Sequence, residues 1–181
     1  MRSPPASGLW QNQDMNEIYR DFLIRDWQPS DRQIAADLIQ SVLAEYGLGG
    51  EPEGADRDVL QVEADYWATG GKFWVVERLG QVVGTGGYYP IARGENAVEI
   101  RKMYLLPAAR GHGLGRYLLA ALERDIAAKG FTQVWIETAS VLKQAVRLYE
   151  SCGYLPSTGV ETARCDRIYY KQLTASLPLT T

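Results

Sequence analysis

The chain has 181 residues, 46% of them hydrophobic and 23% charged, which suits one globular domain with its own core and excludes a disordered chain. Nineteen Lys and Arg stand against 22 Asp and Glu, a formal charge of −3, which argues against the basic footprint of a nucleic-acid binder. Two cysteines, Cys152 and Cys165, and one histidine, His112, exclude a disulfide framework and a structural zinc, and would force any Ser-His-Asp triad through His112.

Residues 1–17 are rich in Pro, Ser, Asn and Gln and lack periodicity, so a flexible arm is expected there, with Met15 a candidate natural start. No apolar leader follows the first residues, and no apolar run reaches the roughly 18 residues of a membrane span, so a cytoplasmic location is expected. Phe22 to Trp27 reads as a strand stopped by Pro29. Ser30 or Asp31 caps a helix whose apolar row is Ile34, Leu38, Val42 and Tyr46. A loop through Gly47-Leu48-Gly49-Gly50 leads to a second helix over Asp58 to Ala68, ended by Gly70-Gly71. Phe73 to Glu77 and Val82 to Tyr89 form a hairpin, and residues 97–106 add a third strand. Leu114, Leu118, Ala121, Leu122 and Ile126 make one helical stripe, ended by Lys129-Gly130. Val134 to Ile136 reads as a buried strand, Ala145 to Cys152 as a short helix, and Arg167 to Leu173 as the last strand before a flexible tail over 174–181. Hairpins followed by alternating strands and helices predict an α/β domain: a mixed sheet with helices on both faces.

The most informative stretch is Arg110-Gly111-His112-Gly113-Leu114-Gly115-Arg116, which follows a strand and opens a helix. Glycines at alternate positions remove Cβ atoms where a ligand must approach the backbone. The helix N-terminus adds unpaired N–H groups and a partial positive charge, suited to a phosphate or pyrophosphate. Arg110 and Arg116 add cationic donors. The same residues also suit a tight turn with nothing bound. The G-x-G-x-G spacing is not the Rossmann fingerprint, and no Lys follows as in a P-loop.

Arg110-x-x-Gly113-x-Gly115 after a strand resembles the pyrophosphate loop of the GNAT superfamily of acyl-CoA-dependent N-acyltransferases. Three other segments carry the resemblance in the same order and spacing. Arg101 to Pro107 is similar to the family's acetyl-CoA strand, and Glu137-Thr138 ends the next strand. Ala145 to Tyr154 is similar to its closing helix and Gly-aromatic turn. The resemblance covers about residues 72–173 and weakens back to Phe22. It implies one domain over 18–173 with a mostly antiparallel sheet. It also implies transfer of an acetyl group from acetyl-CoA, a cosubstrate, to a primary amine of a small molecule or amino acid. No metal, nucleic acid or membrane is implied, and the protein is expected as a monomer or homodimer. Met103, Tyr104, Leu105, Arg110, Gly111, His112, Gly113, Leu114, Gly115 and Arg116 are the implied cofactor-binding residues. One position departs from the family: Leu142 stands where many relatives place an Asn that touches the cofactor, and Ser140 or Lys143 could substitute.

Acyl transfer to an amine requires a base for the amine, a donor at the carbonyl oxygen and a proton for the leaving thiolate. Glu99 occupies a place similar to the glutamate base of relatives, acting through water; it could instead pair with Arg101 on the same strand face. Glu137 is the reserve base. Tyr149 matches the family's tyrosine near the CoA sulfur and is the candidate general acid, although its helical position also suits a core aromatic. Backbone N–H groups near Met103 to Leu105 are implied to polarise the thioester. Cys152 reads as a buried, inert thiol, and His112 lines the phosphate site or faces solvent.

Residues 45–65 carry seven acids against Arg57 alone, either a solvated face or an attractor for a cationic amine. Arg101, Lys102, Arg110, Arg116 and Arg124 would suit polyanionic CoA. Tyr46, Tyr88, Tyr89 and Arg93 are further acceptor-site candidates, Arg93 suiting a carboxylate. Two other readings compete: a non-catalytic CoA-binding or sensing module, and a protein that uses Gly111 to Gly115 for another pyrophosphate ligand.

Overall fold

The computed structural model describes residues 14–174. Its strands are β1 (Asn16–Tyr19), β2 (Phe22–Asp26), β3 (Lys72–Arg78), β4 (Gln81–Ile91), β5 (Ala97–Leu105), β6 (Gln133–Thr138), β7 (Leu155–Pro156) and β8 (Arg167–Gln172). They form one sheet in the order β1-β2-β3-β4-β5-β6-β8-β7. Only the β5–β6 pair is parallel, so the sheet is mixed and mostly antiparallel as expected. β1 starts at Asn16, so the end of the expected arm is a strand in register with β2. Residues 1–13 of that arm, and 175–181 of the expected tail, lie outside the described residues.

Alternation along β3 sends its side chains to two cores. Trp74 and Val76 pack with Leu118 and Leu122 of α4 (Leu114–Ala128), and Tyr149 of α5 (Lys143–Ser151) joins that core. Phe73 and Val75 pack with Leu38, Ile39 and Leu43 of α1 (Arg32–Glu45) on the opposite face. Helices therefore cover both faces. The apolar row expected on α1 is displaced: Ile34 is 47% exposed, and Ala35, Leu38, Ile39, Val42 and Leu43 face the core. A row with a strict four-residue step rotates about 40° per step on an α-helix, so its ends leave the buried face.

The single helix expected over Asp58 to Ala68 is three pieces: α2 (Arg57–Leu60), α3 (Val62–Asp65) and a 3₁₀ turn at Trp67–Thr69, with the break at Gln61 (φ −133°, ψ 44°). The break lets Tyr66 donate its hydroxyl to Asp58 at 2.7 Å. In a continuous helix, residues eight apart lie about 12 Å apart along the axis, too far for that bond.

Two features of β5 create the cleft. Its ladder to β6 holds only at Ala97↔Gln133, Val98↔Val134 and Glu99↔Trp135, after which the parallel strands separate. Against β4 the register shifts between Thr85↔Tyr104 and Gly87↔Arg101, placing an extra residue in β5, and Lys102 takes a left-handed φ of 55°. This bulge reverses the alternation beyond it. Val98 and Ile100 face the α4 core before the bulge and Met103 and Leu105 after it, while Tyr104 faces the α1 core.

Candidate active site

The gap between β5 and β6 opens into a cleft of about 370 Å³ at the C-terminal ends of the two strands. The start of α4 and the inner side of α5 complete its walls. Of the residues expected in the site, Glu99, Tyr149, Met103, Tyr104, Leu105, Arg110, Gly111, Gly113, Leu114, Gly115 and Arg116 line this cleft. His112 does not. Its carbonyl accepts the Tyr19 hydroxyl at 2.9 Å, and its ring packs on Phe22 with centroids 5.6 Å apart.

One end of the cleft is a backbone surface. Gly111 and Gly113 have φ of 78° and 76°, in the left-handed region where other residues are strained. Gly113 is the residue before α4, so the loop turns directly into the helix. Among the described residues, no backbone N–H from Gly111 to Arg116 has a protein acceptor; the first is Tyr117, bonded to the Gly113 carbonyl at 3.1 Å. A run of free donors at a helix N-terminus suits an anion.

The cationic side chains expected to assist are placed differently. Arg110 forms a two-pronged pair with Glu45 (2.9 and 3.1 Å) and donates to the Leu105 carbonyl at 2.9 Å. Arg116 donates to Ser151 Oγ at 2.8 Å and Cys152 Sγ at 3.3 Å. Among the described residues no carboxylate pairs with Arg116, so its charge is left to this end of the cleft. Arg124 pairs with Glu17 on the outer side of α4. Arg101 and Lys102 belong to the other end altogether.

That other end is a buried ionic network. Asp56 accepts both Nη atoms of Arg164 (2.8 and 2.6 Å), Lys102 Nζ at 2.7 Å and the Glu51 N–H at 2.8 Å. Asp58 accepts from Tyr66 at 2.7 Å and Arg101 Nε at 3.1 Å. Burial works against the Asp56 carboxylate, but Arg164 and Lys102 hold it well below its ordinary range. Burial pulls the Lys102 ammonium down, with Asp58 and Asp56 opposing. Of the seven acids of this segment only Asp56 and Asp58 are buried, and these two are counter-ions of β5, not free attractors; Glu45 and Glu53 are exposed.

Glu99 sits beside this network. Arg101 Nη1 lies 3.5 Å from its carboxylate, but Arg101 has closer partners in Asp58 and the Tyr89 oxygen. Burial pushes the Glu99 carboxyl up to about 7, Arg101 restraining the rise and Glu137 adding to it. Glu137 is committed elsewhere: its two oxygens accept the N–H groups of Glu161 (2.8 Å) and Thr162 (2.9 Å). It fastens the loop between β7 and β8, which Arg93 also holds through the Gly159 carbonyl at 2.7 Å and Glu161 at 3.0 Å. Of the acceptor-site candidates, only Tyr46 lines the cleft. Tyr88 faces the α4 core and bonds Asp125, and Tyr89 accepts from Arg101. Ser140, a suggested substitute for the missing Asn, is tied to Asp166 by its N–H and its hydroxyl, both at 2.6 Å.

Burial in the α4-side core raises the Tyr149 phenol well above its usual value, so it carries its proton at neutral pH. Sequence reasoning missed Arg164 and Cys165, which line the cleft from the loop before β8. Burial raises the Cys165 thiol to about 11, so it is not a thiolate at neutral pH. Nothing local in the sequence marks Arg164; its partner Asp56 is 108 residues away.

Comparison with known proteins bears on this arrangement. The model of the acetyltransferase (GNAT) family matches residues 13–154. The uncharacterised N-acetyltransferase YjgM of Escherichia coli K12 is 38% identical over 127 residues, 68% of this chain and 76% of that protein. The probable N-acetyltransferase camello of Xenopus tropicalis is 30% identical over 118 residues, 62% of this chain and 54% of the relative. The chain thus spans about half the length of that relative. Among solved structures, a GNAT-family acetyltransferase of Staphylococcus aureus Mu50 superposes with a TM-score of 0.79 at 19% identity, over 84% of this chain and 99% of its own. The putative acetyltransferase yncA of Salmonella typhimurium, solved with its cofactor acetyl-CoA, gives 0.68 at 22% identity, over 87% and 96%. At those identities the likeness speaks for the fold. Together with the family match and the bacterial relative, it means that this chain is an acyltransferase enzyme belonging to the acetyltransferase (GNAT) family.

Proposed function

We propose that the protein moves an acetyl group from acetyl-CoA to a primary amine by direct attack while both are bound. The observation that carries this reading is a single cleft with free backbone donors at one end and a carboxyl at about 7 at the other. The residues fit the cosubstrate: the open N–H groups of Gly111 to Arg116 suit a pyrophosphate, and the charge of Arg116 adds to the α4 dipole there. Bound acetyl-CoA would supply the activated thioester.

Each remaining role falls to a residue of the chain. Glu99 takes the amine's proton, and a carboxyl at about 7 is matched to that task near neutral pH. N–H groups of β5 between Met103 and Leu105 donate to the thioester oxygen. Tyr149, protonated at neutral pH, gives its proton to the leaving sulfur. A small amine is favoured as acceptor, because the Glu99 side chain is only 15% exposed.

Thiol release from acetyl-CoA, measured with a panel of amines, tests the proposal. Amine-dependent release by the wild type, lowered in Glu99→Gln and in Tyr149→Phe with acetyl-CoA affinity retained, is the expected result. Binding of acetyl-CoA without release to any amine would favour the non-catalytic module instead.

A further inference from the structure

The glycine loop is braced from behind by the first strand of the sheet. Tyr19, the last residue of β1, stacks on Tyr117 of α4 with ring centroids 4.3 Å apart and planes 26° apart. From there its hydroxyl donates to the His112 carbonyl at 2.9 Å. A planar trans peptide points its C=O and its N–H in opposite directions, and no peptide bond in the described chain is cis. Holding the His112 carbonyl against Tyr19 therefore turns the Gly113 N–H the other way. That is the side on which Gly113 lines the cleft, whereas neither His112 nor Tyr19 does.

Gly113 carries a second mark of this contact. A Cβ at position 113 would lie 2.8 Å from the Tyr19 hydroxyl, whereas a Cβ at Gly111 would meet nothing within 4 Å. The absent side chain at 113 leaves room for the tyrosine as much as for a ligand. The strand is itself anchored to α4: Glu17 accepts from Tyr117 at 2.9 Å and from Arg124 at 2.9 and 3.1 Å.

We propose that Tyr19 is a positioning residue for pyrophosphate recognition: it fixes the 112–113 peptide so that the Gly113 N–H is presented to the cosubstrate. The proposal rests on the reading of the glycine loop as the pyrophosphate site. Tyr19 touches neither the cosubstrate nor the reacting atoms, so its effect falls on cosubstrate affinity and not on the chemical step.

The experiment compares acetyl-CoA with S-acetylpantetheine, a thioester that lacks the pyrophosphate, in wild type, Tyr19→Phe and Glu17→Gln. Tyr19→Phe keeps the ring on Tyr117 and removes one donor. It is expected to raise Kd and KM for acetyl-CoA about three- to tenfold, the worth of one hydrogen bond. kcat, and kcat/KM for S-acetylpantetheine, stay at wild-type values. Glu17→Gln loosens the strand but keeps the hydroxyl on the loop carbonyl, and is expected to weaken acetyl-CoA binding less than Tyr19→Phe does. Unchanged acetyl-CoA affinity in Tyr19→Phe overturns the proposal, as does an equal loss on both thioesters or an equal loss in Glu17→Gln. A wild type that does not prefer acetyl-CoA to S-acetylpantetheine would remove the pyrophosphate reading itself, a failure visible without any variant. A thermal-melting cycle checks the contact independently of activity: Gly113→Ala should lower Tm less in the Tyr19→Phe background than in wild type. Equal losses in both backgrounds would overturn the contact.

Discussion

The two ends of the cleft are made of different material. Around Gly111 to Arg116 the working groups are main-chain N–H donors, set by one loop and the first turn of α4. Around Glu99 they are side-chain charges brought together from α2, β5 and the loop before β8. A backbone site depends on local conformation, so changes within a few residues decide it. A charge network depends on long-range partners, so deleting any one member leaves others buried and unpaired. The first end should therefore fail in binding, and the second in turnover or in folding.

The largest effect expected is on turnover at the ionic end. Glu99→Gln should lower kcat by a factor of about 10² to 10⁴, the usual worth of a positioned base, with acetyl-CoA affinity unchanged. In wild type, kcat/KM should rise with pH through about 7 as Glu99 ionises, and that limb should vanish in the variant. The folded carboxyl titrates above its unfolded value of 4.5, so wild-type stability falls as pH rises from 4.5 to about 7. Glu99→Gln should consequently melt higher than wild type at pH 8.

Next comes Asp56→Ala, which strands Arg164 and Lys102 and should lower stability to urea by about 3–5 kcal/mol. Because the folded carboxyl is held below its unfolded value of 3.8, its contribution is present above that pH and is lost as pH falls toward the folded value. The variant's deficit should therefore shrink in acid.

At the backbone end, Gly111→Asp should weaken acetyl-CoA binding about a hundredfold by setting a carboxylate against the pyrophosphate, as calorimetry would show. Its Cβ meets nothing, and Asp tolerates the left-handed region, so Tm should change little. Gly113→Asp should lose both binding and stability, because its Cβ runs into Tyr19. The smallest effect is expected away from both ends: Ile34→Gln on the exposed side of α1 should stay within about 0.5 kcal/mol of wild type.

The same contrast explains what the sequence made legible. Strands β2 to β6 and β8, α4, and the loop at Arg110 to Arg116 announce themselves through period, glycine spacing and order, all of which act over short distances; the short β1 and β7 were not legible. α1 was legible as a helix but not in its buried face, because a four-residue apolar row drifts around the cylinder. The bulge at Lys102 was not legible. No glycine marks it, and the partners of the Lys102 ammonium at the bulge, Asp56 and the Ala55 carbonyl at 2.7 and 2.6 Å, lie on a segment 46 and 47 residues upstream. The acids at 56 and 58 were visible as charge but not as partners, since pairing across such distances has no local signature. Arg164 was silent for the same reason.

The three-residue ladder between β5 and β6 has a consequence for how the molecule breathes. The sheet is two sheets joined along a short seam, with β1 to β5 on one side and β6, β8 and β7 on the other. Cooperative opening along such a seam costs less than opening either half, so amide hydrogen exchange at Val98 and Val134 should outrun exchange in the β3–β4 ladder. A molecule bound in the cleft touches both halves and acts as a staple across the seam. Its binding free energy then appears as slowed exchange in strands that it does not itself contact.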